Sequence, residues 1–173
     1  MDKKKLSTKD IVLIAFLAIL LFVQEEVLTF LPNIQLTVFL LVLYSKKVGM
    51  KRTSFIILIH VLFDNLLMGS FNLYYVPFMF LGWLLIPTLL QTVFKRVDDS
   101  FSLAMLGILF SFLYSWIYLI PGIFLYQIDP VGYFMSDILF EVLLAISSFL
   151  SILWLNDPCA NIFDRYLPSV ETK

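Results

Sequence analysis

Five carboxylates inside apolar segments are the residues of this chain whose type and spacing best fit a binding site. They are Glu25, Glu26, Asp64, Asp137 and Glu141. Asp137 and Glu141 are four residues apart, which places them one above the other on a helix face. An ionisable side chain inside a bilayer costs about 2.5–3.5 kcal/mol on insertion scales, so it normally faces the protein interior and marks a site. Because these segments contain no Lys or Arg, their excess negative charge favours a cationic or amine-bearing ligand.

Amides and aromatic rings at similar depths complete the candidate site. The substrate-binding candidates beside the acids are Asn33, Tyr75, Trp83 and Trp116. Acids, amides and flat rings that converge from several segments predict a pocket for a planar, polar small molecule. The alternative is that the rings belong to the ordinary aromatic belt of a membrane protein and that Asp64 and Asp137 are simply hydrated. A lone histidine such as His60 is more often a packing residue than a ligand.

The sequence gives no support for catalysis. It contains no HExxH, no GxSxG and no phosphate-binding glycine-rich loop. The single histidine excludes most histidine-based metal or triad chemistry, and the single cysteine, Cys159, excludes an intrachain disulfide and a multi-cysteine zinc site. We therefore expect no enzyme activity, no cofactor and no metal. Without a nucleotide-binding motif, the chain cannot itself couple ATP hydrolysis to transport.

Composition and hydropathy place these residues in a membrane protein. The chain is 61% hydrophobic and 14% charged, with a mean hydropathy of +0.94, whereas soluble domains average about 25% charged residues. Six apolar segments use most of the length and leave no room for a soluble domain. We predict an all-α membrane protein, a six-transmembrane-helix bundle that forms one domain over residues 1–173. The predicted helices cover about residues 11–31, 34–44, 53–68, 73–94, 101–120 and 133–155.

The distribution of basic residues predicts the orientation of the bundle. Every Lys and Arg lies before the first segment, in every second loop, or after the sixth segment. They are Lys3, Lys4, Lys5, Lys9, Lys46, Lys47, Lys51, Arg52, Lys95, Arg96, Arg165 and Lys173. Lys- and Arg-rich loops stay in the cytoplasm. We therefore expect both termini on the cytoplasmic side of a bacterial plasma membrane, and the five carboxylates in the outer half of that membrane. Basic residues that flank helices form no patch, which excludes nucleic-acid binding.

Helix-breaking residues predict the boundaries of the helices. A second segment of ~11 residues rises only ~17 Å, so it is either a tilted helix or one arm of a re-entrant hairpin with the first segment. Residues 123–130 are apolar but too short to span, which suits a lid over the outer mouth. Caps are predicted at Ser7 or Thr8 and at Asp98-Asp99-Ser100, kinks at Pro77 and Pro87, and helix ends at Gly69-Ser70, Pro121-Gly122 and Asn156-Asp157-Pro158.

A ridge of small residues on the fifth segment predicts close helix packing. Gly107, Ser111 and Ser115 recur every four positions. In lipid, such a ridge lets two helices approach closely. We interpret it as packing inside the bundle rather than as a face for a partner protein.

Several sequence patterns resemble the substrate-binding S components of energy-coupling factor (ECF) vitamin transporters. They are the lysine-rich start into an alanine-containing helix, LPNIQL at residues 31–36, KKVGMK at 46–51 and YFMSDILFE at 133–141. The resemblance implies a vitamin bound in the outer half, and docking on a transmembrane T component driven by two ATPases. In that family an AxxxA face on the first helix makes the contact. Here Ala15 is followed by Ile19, with Ala18 the nearest small residue, so the docking motif is degenerate.

Two other classes of protein remain as alternatives. Residues 62–69, LFDNLLMG, resemble a helix of MreD-like scaffolds of cell elongation, which bind morphogenetic partners and need no small-molecule ligand. An autonomous ion-coupled transporter is usually larger and carries internal repeats, and this sequence contains none.

Overall fold

The computed structural model describes residues 6–68 and 71–167, and within them it contains helices and no strand. The helices are α1 (Thr8–Leu28), α2 (Thr37–Lys47), α3 (Met50–Phe63), α4 (Val76–Gln91), α5 (Ser100–Tyr126) and α6 (Pro130–Tyr166). One π-helical turn, Asp64–Met68, extends α3. The all-α prediction is confirmed. The predicted cytoplasmic Lys3, Lys4, Lys5 and Lys173, and the helix end predicted at Gly69-Ser70, lie outside the described residues.

Three helices are long and apolar enough to cross a membrane. They are α1, α5 and α6, with 21, 27 and 37 residues. At 1.5 Å per residue, a helix of ~20 residues already matches a hydrocarbon core about 30 Å thick. Helix α4 is apolar but shorter. The structure therefore supports a membrane protein with three candidate spans, while six crossings with both termini inside stay a prediction.

Helix α2 occupies the centre of the bundle and contacts each of the other five helices. Eight of its 11 residues are buried, and they fall on every side of the helix. A helix that is apolar all round needs protein or lipid on every side, and here the other helices supply it. The central position explains how so short a segment is accommodated.

Ion pairs join the helix ends at one end of the bundle, which we call the basic end. Arg52 at the start of α3 pairs with Asp10 at the start of α1, at 2.9 Å. At the end of α2, Lys46 pairs with Asp98 at 3.0 Å and Lys47 with Asp164 at 2.7 Å. Each partly exposed pair contributes little to stability. Lys46 Nζ also donates to the Phe94 carbonyl just after α4. Together these contacts show that α1, α3 and α5 begin, and that α2, α4 and α6 end, at the basic end.

Three helices begin with side-chain caps. Ser7 forms a capping box with Asp10 at the start of α1, which confirms the first predicted cap. The Ser102 N–H donates to the Asp99 carboxylate at 2.8 Å at the start of α5, as the Asp98-Asp99-Ser100 pattern predicts. This hydrogen bond lowers the pKa of the Asp99 carboxyl. Asp129 caps α6 in the same way, through the Gly132 N–H.

Two predicted helix ends are wrong, because the helices continue through their prolines. Helix α5 includes Pro121 and ends at Tyr126, and α6 includes Pro158 and ends at Tyr166. The lid predicted at residues 123–130 is therefore wrong as well, since residues 123–126 are the last turn of α5 and Pro130 is the first residue of α6. Pro121 is buried, and neighbouring helices can hold a proline-containing turn in helical form where no water competes for the backbone.

The two prolines of α4 differ in position. Pro77 lies in the first turn, where the missing N–H leaves no hydrogen bond unmade, so the kink predicted there is wrong. Pro87 lies inside the helix, where it has no backbone N–H and one backbone hydrogen bond is therefore lost.

Helices α5 and α6 pack tightly against each other at Gly107. A Cβ atom added there would lie 2.6 Å from Ile152 Cδ1. One turn further along α5, Ser111 Oγ donates to Ser148 Oγ at 2.9 Å, and both hydroxyl groups are buried. The prediction of packing inside the bundle is confirmed for Gly107 and Ser111.

Gln24 fixes the connection between α1 and α2. Its Nε2 donates to Thr37 Oγ1 at 2.8 Å, and its Oε1 accepts from the Leu36 N–H at 2.7 Å. We expect Gln24→Leu to lower the free energy of unfolding by about 1–3 kcal/mol, because it leaves partly buried polar groups unpaired. Thermal unfolding in detergent measures the effect, with Asn161→Ala at an exposed position as control. A melting temperature equal to that of the wild type would contradict this account of the connection.

Candidate ligand-binding site

The five carboxylates lie at the end of the bundle opposite the basic end, which we call the acidic end. Glu25 and Glu26 are in the last turns of α1, Asp64 opens the π-helical turn after α3, and Asp137 and Glu141 are near the start of α6. In the described part of the chain, every Lys and Arg lies at or near the basic end. The acidic end therefore has no described Lys or Arg to neutralise it.

The first carboxylate group joins α1 to α3. His60 Nε2 lies 3.3 Å from Glu25 Oε2; the histidine side chain is 0% exposed and the glutamate 25% exposed. The alignment does not make a hydrogen bond, so neither ring nitrogen of His60 has a hydrogen-bond partner. Asp64 lies within electrostatic range of both Glu25 and Glu26. An acid–base pair thus has two further carboxyl groups beside it.

The second carboxylate group belongs to α6. Glu141 is 2% exposed, and its Oε2 has no hydrogen-bond partner. The Trp116 indole of α5 lies within hydrogen-bonding reach of the same carboxyl group. Asp137, one turn towards the helix start, is half-buried and within electrostatic range of Glu141.

A column of five aromatic rings runs from the middle of the bundle to the acidic end. Trp83 stacks on Tyr114 with ring centroids 3.6 Å apart, and Tyr114 lies 6.0 Å from Tyr118. Tyr118 lies 4.9 Å from Tyr75, which stacks on Tyr126 at 5.7 Å. Stacked rings contribute beyond their buried area and present flat faces to a ligand.

Tyrosines also link the two carboxylate groups. Tyr114 lies within electrostatic range of Glu25 and Asp64 in the first group, and of Tyr133. Tyr133 in turn lies within range of Glu141 in the second group. The two groups are therefore parts of one region rather than separate sites.

Unpartnered polar atoms are concentrated between the middle of the bundle and the acidic end. Six buried side-chain atoms of the described residues have no hydrogen-bond partner: Glu25 Oε2, Glu26 Oε1, His60 Nδ1 and Nε2, Trp83 Nε1 and Glu141 Oε2. Buried polar groups elsewhere are paired, as Ser111 is with Ser148 and Asn156 with Ser100. Leaving such an atom unpaired costs about 1–3 kcal/mol. This half of the bundle therefore offers polar groups that a ligand or water can satisfy.

A cavity of about 270 Å³ opens beside Glu25, at the connection between α1 and α2. Asn33, which adopts a left-handed conformation with φ 54, is in its wall. Glu25 is its one charged lining residue. The full lining is Glu25, Leu28, Thr29, Leu31, Pro32, Asn33, Ile34 and Gln35.

The structure brings most of the predicted site residues into this region, but in different settings. Glu25, Glu26 and Asp64 form the first carboxylate group, Asp137, Glu141 and Trp116 the second, and Tyr75 and Trp83 belong to the aromatic column, while Asn33 lines the cavity. Sequence reasoning missed Tyr114. Its spacing of four residues from Tyr118 on α5 is a signal that could have indicated a shared helix face.

The predicted docking residues on α1 do not share one surface. Ala15 and Ile19 are exposed, whereas Ala18 is fully buried in the core. A side chain with no exposed surface cannot contact a partner, so the structure corrects the prediction for Ala18. Ala15 and Ile19 are four residues apart and lie on the same outward face.

Comparison with known proteins adds no identification. No family model, no curated protein and no solved structure matches this chain.

Proposed function

We propose that this protein is the substrate-binding membrane subunit of an ECF-type importer for a vitamin or related micronutrient. The ligand occupies the acidic end, which faces outward from a bacterial plasma membrane, and both termini are cytoplasmic. A transmembrane T component and two ATPase subunits complete the importer. The chain itself carries no nucleotide-binding motif, so energy must come from such a module.

The single observation that carries the proposal is the concentration of unpartnered buried atoms in the acidic half of the bundle. Carboxylate oxygens of Glu25 and Glu141 can accept hydrogen bonds from a ligand amine or hydroxyl group. The Trp83 indole N–H can donate to a ligand oxygen or nitrogen. A helical bundle that only needed to pack would gain stability by replacing such groups with apolar ones of the same shape.

The aromatic column supports a flat ligand. Tyr75 and Tyr126 are the outermost rings of the column, where a planar molecule that enters from the acidic end would meet them. Aromatic faces attract organic cations electrostatically, by about 0.5–1 kcal/mol at exposed sites and ~2 kcal/mol or more when desolvated. Carboxylates and ring faces together therefore favour a planar ligand with an amine or other cationic group.

Mass spectrometry of proteins that co-purify with the tagged chain from gently solubilised host membranes tests the proposed function. We expect a T component and two ATPases. Ala15→Trp, on the exposed face of α1, should reduce their recovery, whereas Leu139→Trp, at an exposed position on α6, should not. Recovery of cell-elongation proteins without any ATPase would contradict the proposal and favour the MreD-like scaffold.

A further inference from the structure

We infer that the acidic end binds a small organic cation in competition with a proton held between Glu25 and His60. The inference rests on the proposed function, because it specifies the ligand class of the same site. It is carried by three features: the geometry of the pair, the charges around it, and the cavity that reaches Glu25.

The pair is an acid and a base in contact, and the facing atoms of both are buried. Glu25 Oε2 and His60 Nε2 are 3.3 Å apart, and the Oε2 atom and both imidazole nitrogens are buried without a hydrogen-bond partner. A separation of 3.3 Å is close to the hydrogen-bond range and needs only a small rotation to be made linear. One proton added to this pair converts two unpartnered atoms into a charge-assisted hydrogen bond.

Among the described residues, the other charged or titratable groups within electrostatic range of Glu25 are all acidic. Glu26 is its neighbour on α1, Asp64 faces it from the π-helical turn after α3, and Tyr114 faces it from α5. The connection to α2 contributes no charged side chain to the cavity wall other than Glu25 itself. Buried carboxylates without a cation repel one another, so a positive charge has to be supplied there. A proton or a cationic ligand can supply it.

The cavity gives a ligand access to the pair. Glu25 lines the cavity, and its carboxyl group also contacts the imidazole of His60, so one residue belongs to both the cavity and the pair. The volume of about 270 Å³ is just below the usual range for small-molecule pockets and suits a ligand of one substituted ring. Thr29, Asn33 and Gln35 contribute polar side chains to the same wall.

The exchange conserves charge. In the ligand-free protein, the proton between Glu25 and His60 supplies one positive charge. When a monocation binds against Glu25, that proton leaves to water, and the pair is left as a Glu25 carboxylate and a neutral His60 imidazole. Because cation and proton compete, the apparent dissociation constant should fall by up to about tenfold per pH unit while the pair is protonated, and should become constant above that range.

The single histidine makes the exchange directly observable. Because His60 is the one histidine of the chain, ¹⁵N-histidine labelling of a protein with a histidine-free tag gives one imidazole spin system. The probe is benzyltrimethylammonium, a one-ring cation whose charge does not change with pH, and benzyl alcohol is its neutral counterpart. From about pH 6 to about pH 8, we expect the cation, and not the alcohol, to shift the imidazole ¹⁵N resonances to those of a neutral ring without a hydrogen bond, because the proton that joins the ring to Glu25 has left. Calorimetry in two buffers of different ionisation enthalpy should show proton release.

Variants assign the effect to Glu25. Glu25→Gln should weaken binding of the cation by at least about tenfold and should abolish its pH dependence. Asp164→Asn, which removes a carboxylate at the basic end, should leave binding and its pH dependence unchanged. The proton count of the wild-type protein does not depend on whether a variant folds.

The outcomes separate this inference from the proposed function. Failure of the cation to bind, or binding without proton release, would overturn the inference and leave the transporter assignment to co-purification. Proton-linked binding of the cation in a protein that recovers no ATPase would support the inference and contradict the proposed function.

Discussion

Glu141→Gln is expected to weaken binding of the benzyltrimethylammonium probe at least about tenfold, equivalent to ~1.4 kcal/mol, without lowering thermal stability. Glu141 is almost fully buried, and its Oε2 has no partner. Glutamine has nearly the same shape but carries no charge, so the acidic end loses one of the carboxylates that attract the cation, and the protein is relieved of a buried carboxylate without a cationic partner. Loss of binding at unchanged or higher stability is typical of a residue retained for function.

Calorimetry and thermal unfolding of the same samples measure both effects of Glu141→Gln. Ser151→Ala is a matched control, because Ser151 is buried on the same helix but donates only to backbone carbonyls of α6. Unchanged affinity in Glu141→Gln would remove Glu141 from the site. A fall in stability together with binding would indicate that the carboxyl group serves packing.

Gly107→Leu is expected to lower the free energy of unfolding by about 1–3 kcal/mol or more, because the added side chain has no space between α5 and α6. Even a Cβ atom at this position would lie 2.6 Å from Ile152 Cδ1 and 3.5 Å from Ser148 Cβ. Met105→Leu, at an exposed position on α5, is the control and should change the melting temperature little.

A second variant tests whether the steric contact causes the loss. Ile152→Val removes the Cδ1 atom, so Gly107→Ala should destabilise the Ile152→Val protein less than it destabilises the wild type. Residues in direct contact show such coupling, and independent residues do not. Additive effects of the two substitutions would contradict the packing described at Gly107.

The helices could be predicted where they depend on residues that are close together in the sequence. Apolar runs bounded by Lys and Arg predicted six helices, and Ser7 and Asp99 predicted helix starts because their side chains cap free backbone N–H groups. The small-residue ridge predicted the close approach at Gly107 because only a missing side chain allows it.

Other features depend on long-range contacts that a sequence pattern does not contain. Pro121 and Pro158 were expected to end helices, but both lie inside helices. Pro121 is buried, where surrounding helices can hold a proline-containing turn and water is excluded. Pro158 is exposed, so this reason does not apply to it. An all-apolar helix suits lipid and protein surroundings equally, so the central position of α2 could not be read from its composition. Tyr114 packs on Gly82, where an added Cβ would lie 2.8 Å from the tyrosine ring.

The sequence was sufficient to predict which residues belong to the candidate site. It was not sufficient to predict which of them contact one another. Ionisable side chains in apolar segments identified the carboxylates, because burial of a charge has a high free-energy cost. The contact between Glu25 and His60 joins residues 35 positions apart and depends on how α1 packs against α3. The burial of Ala18 likewise follows from the rotation of α1, which its apolar sequence leaves undetermined.

Native mass spectrometry of the gently solubilised wild-type protein most directly tests the central claim, that the acidic end holds a small-molecule ligand. We predict a bound species of low mass that is released on activation and is absent or strongly reduced in Glu141→Gln and Glu25→Gln. Asp164→Asn should retain it. Detection of only the bare chain and lipid adducts, identical in the wild type and all three variants, would contradict the account.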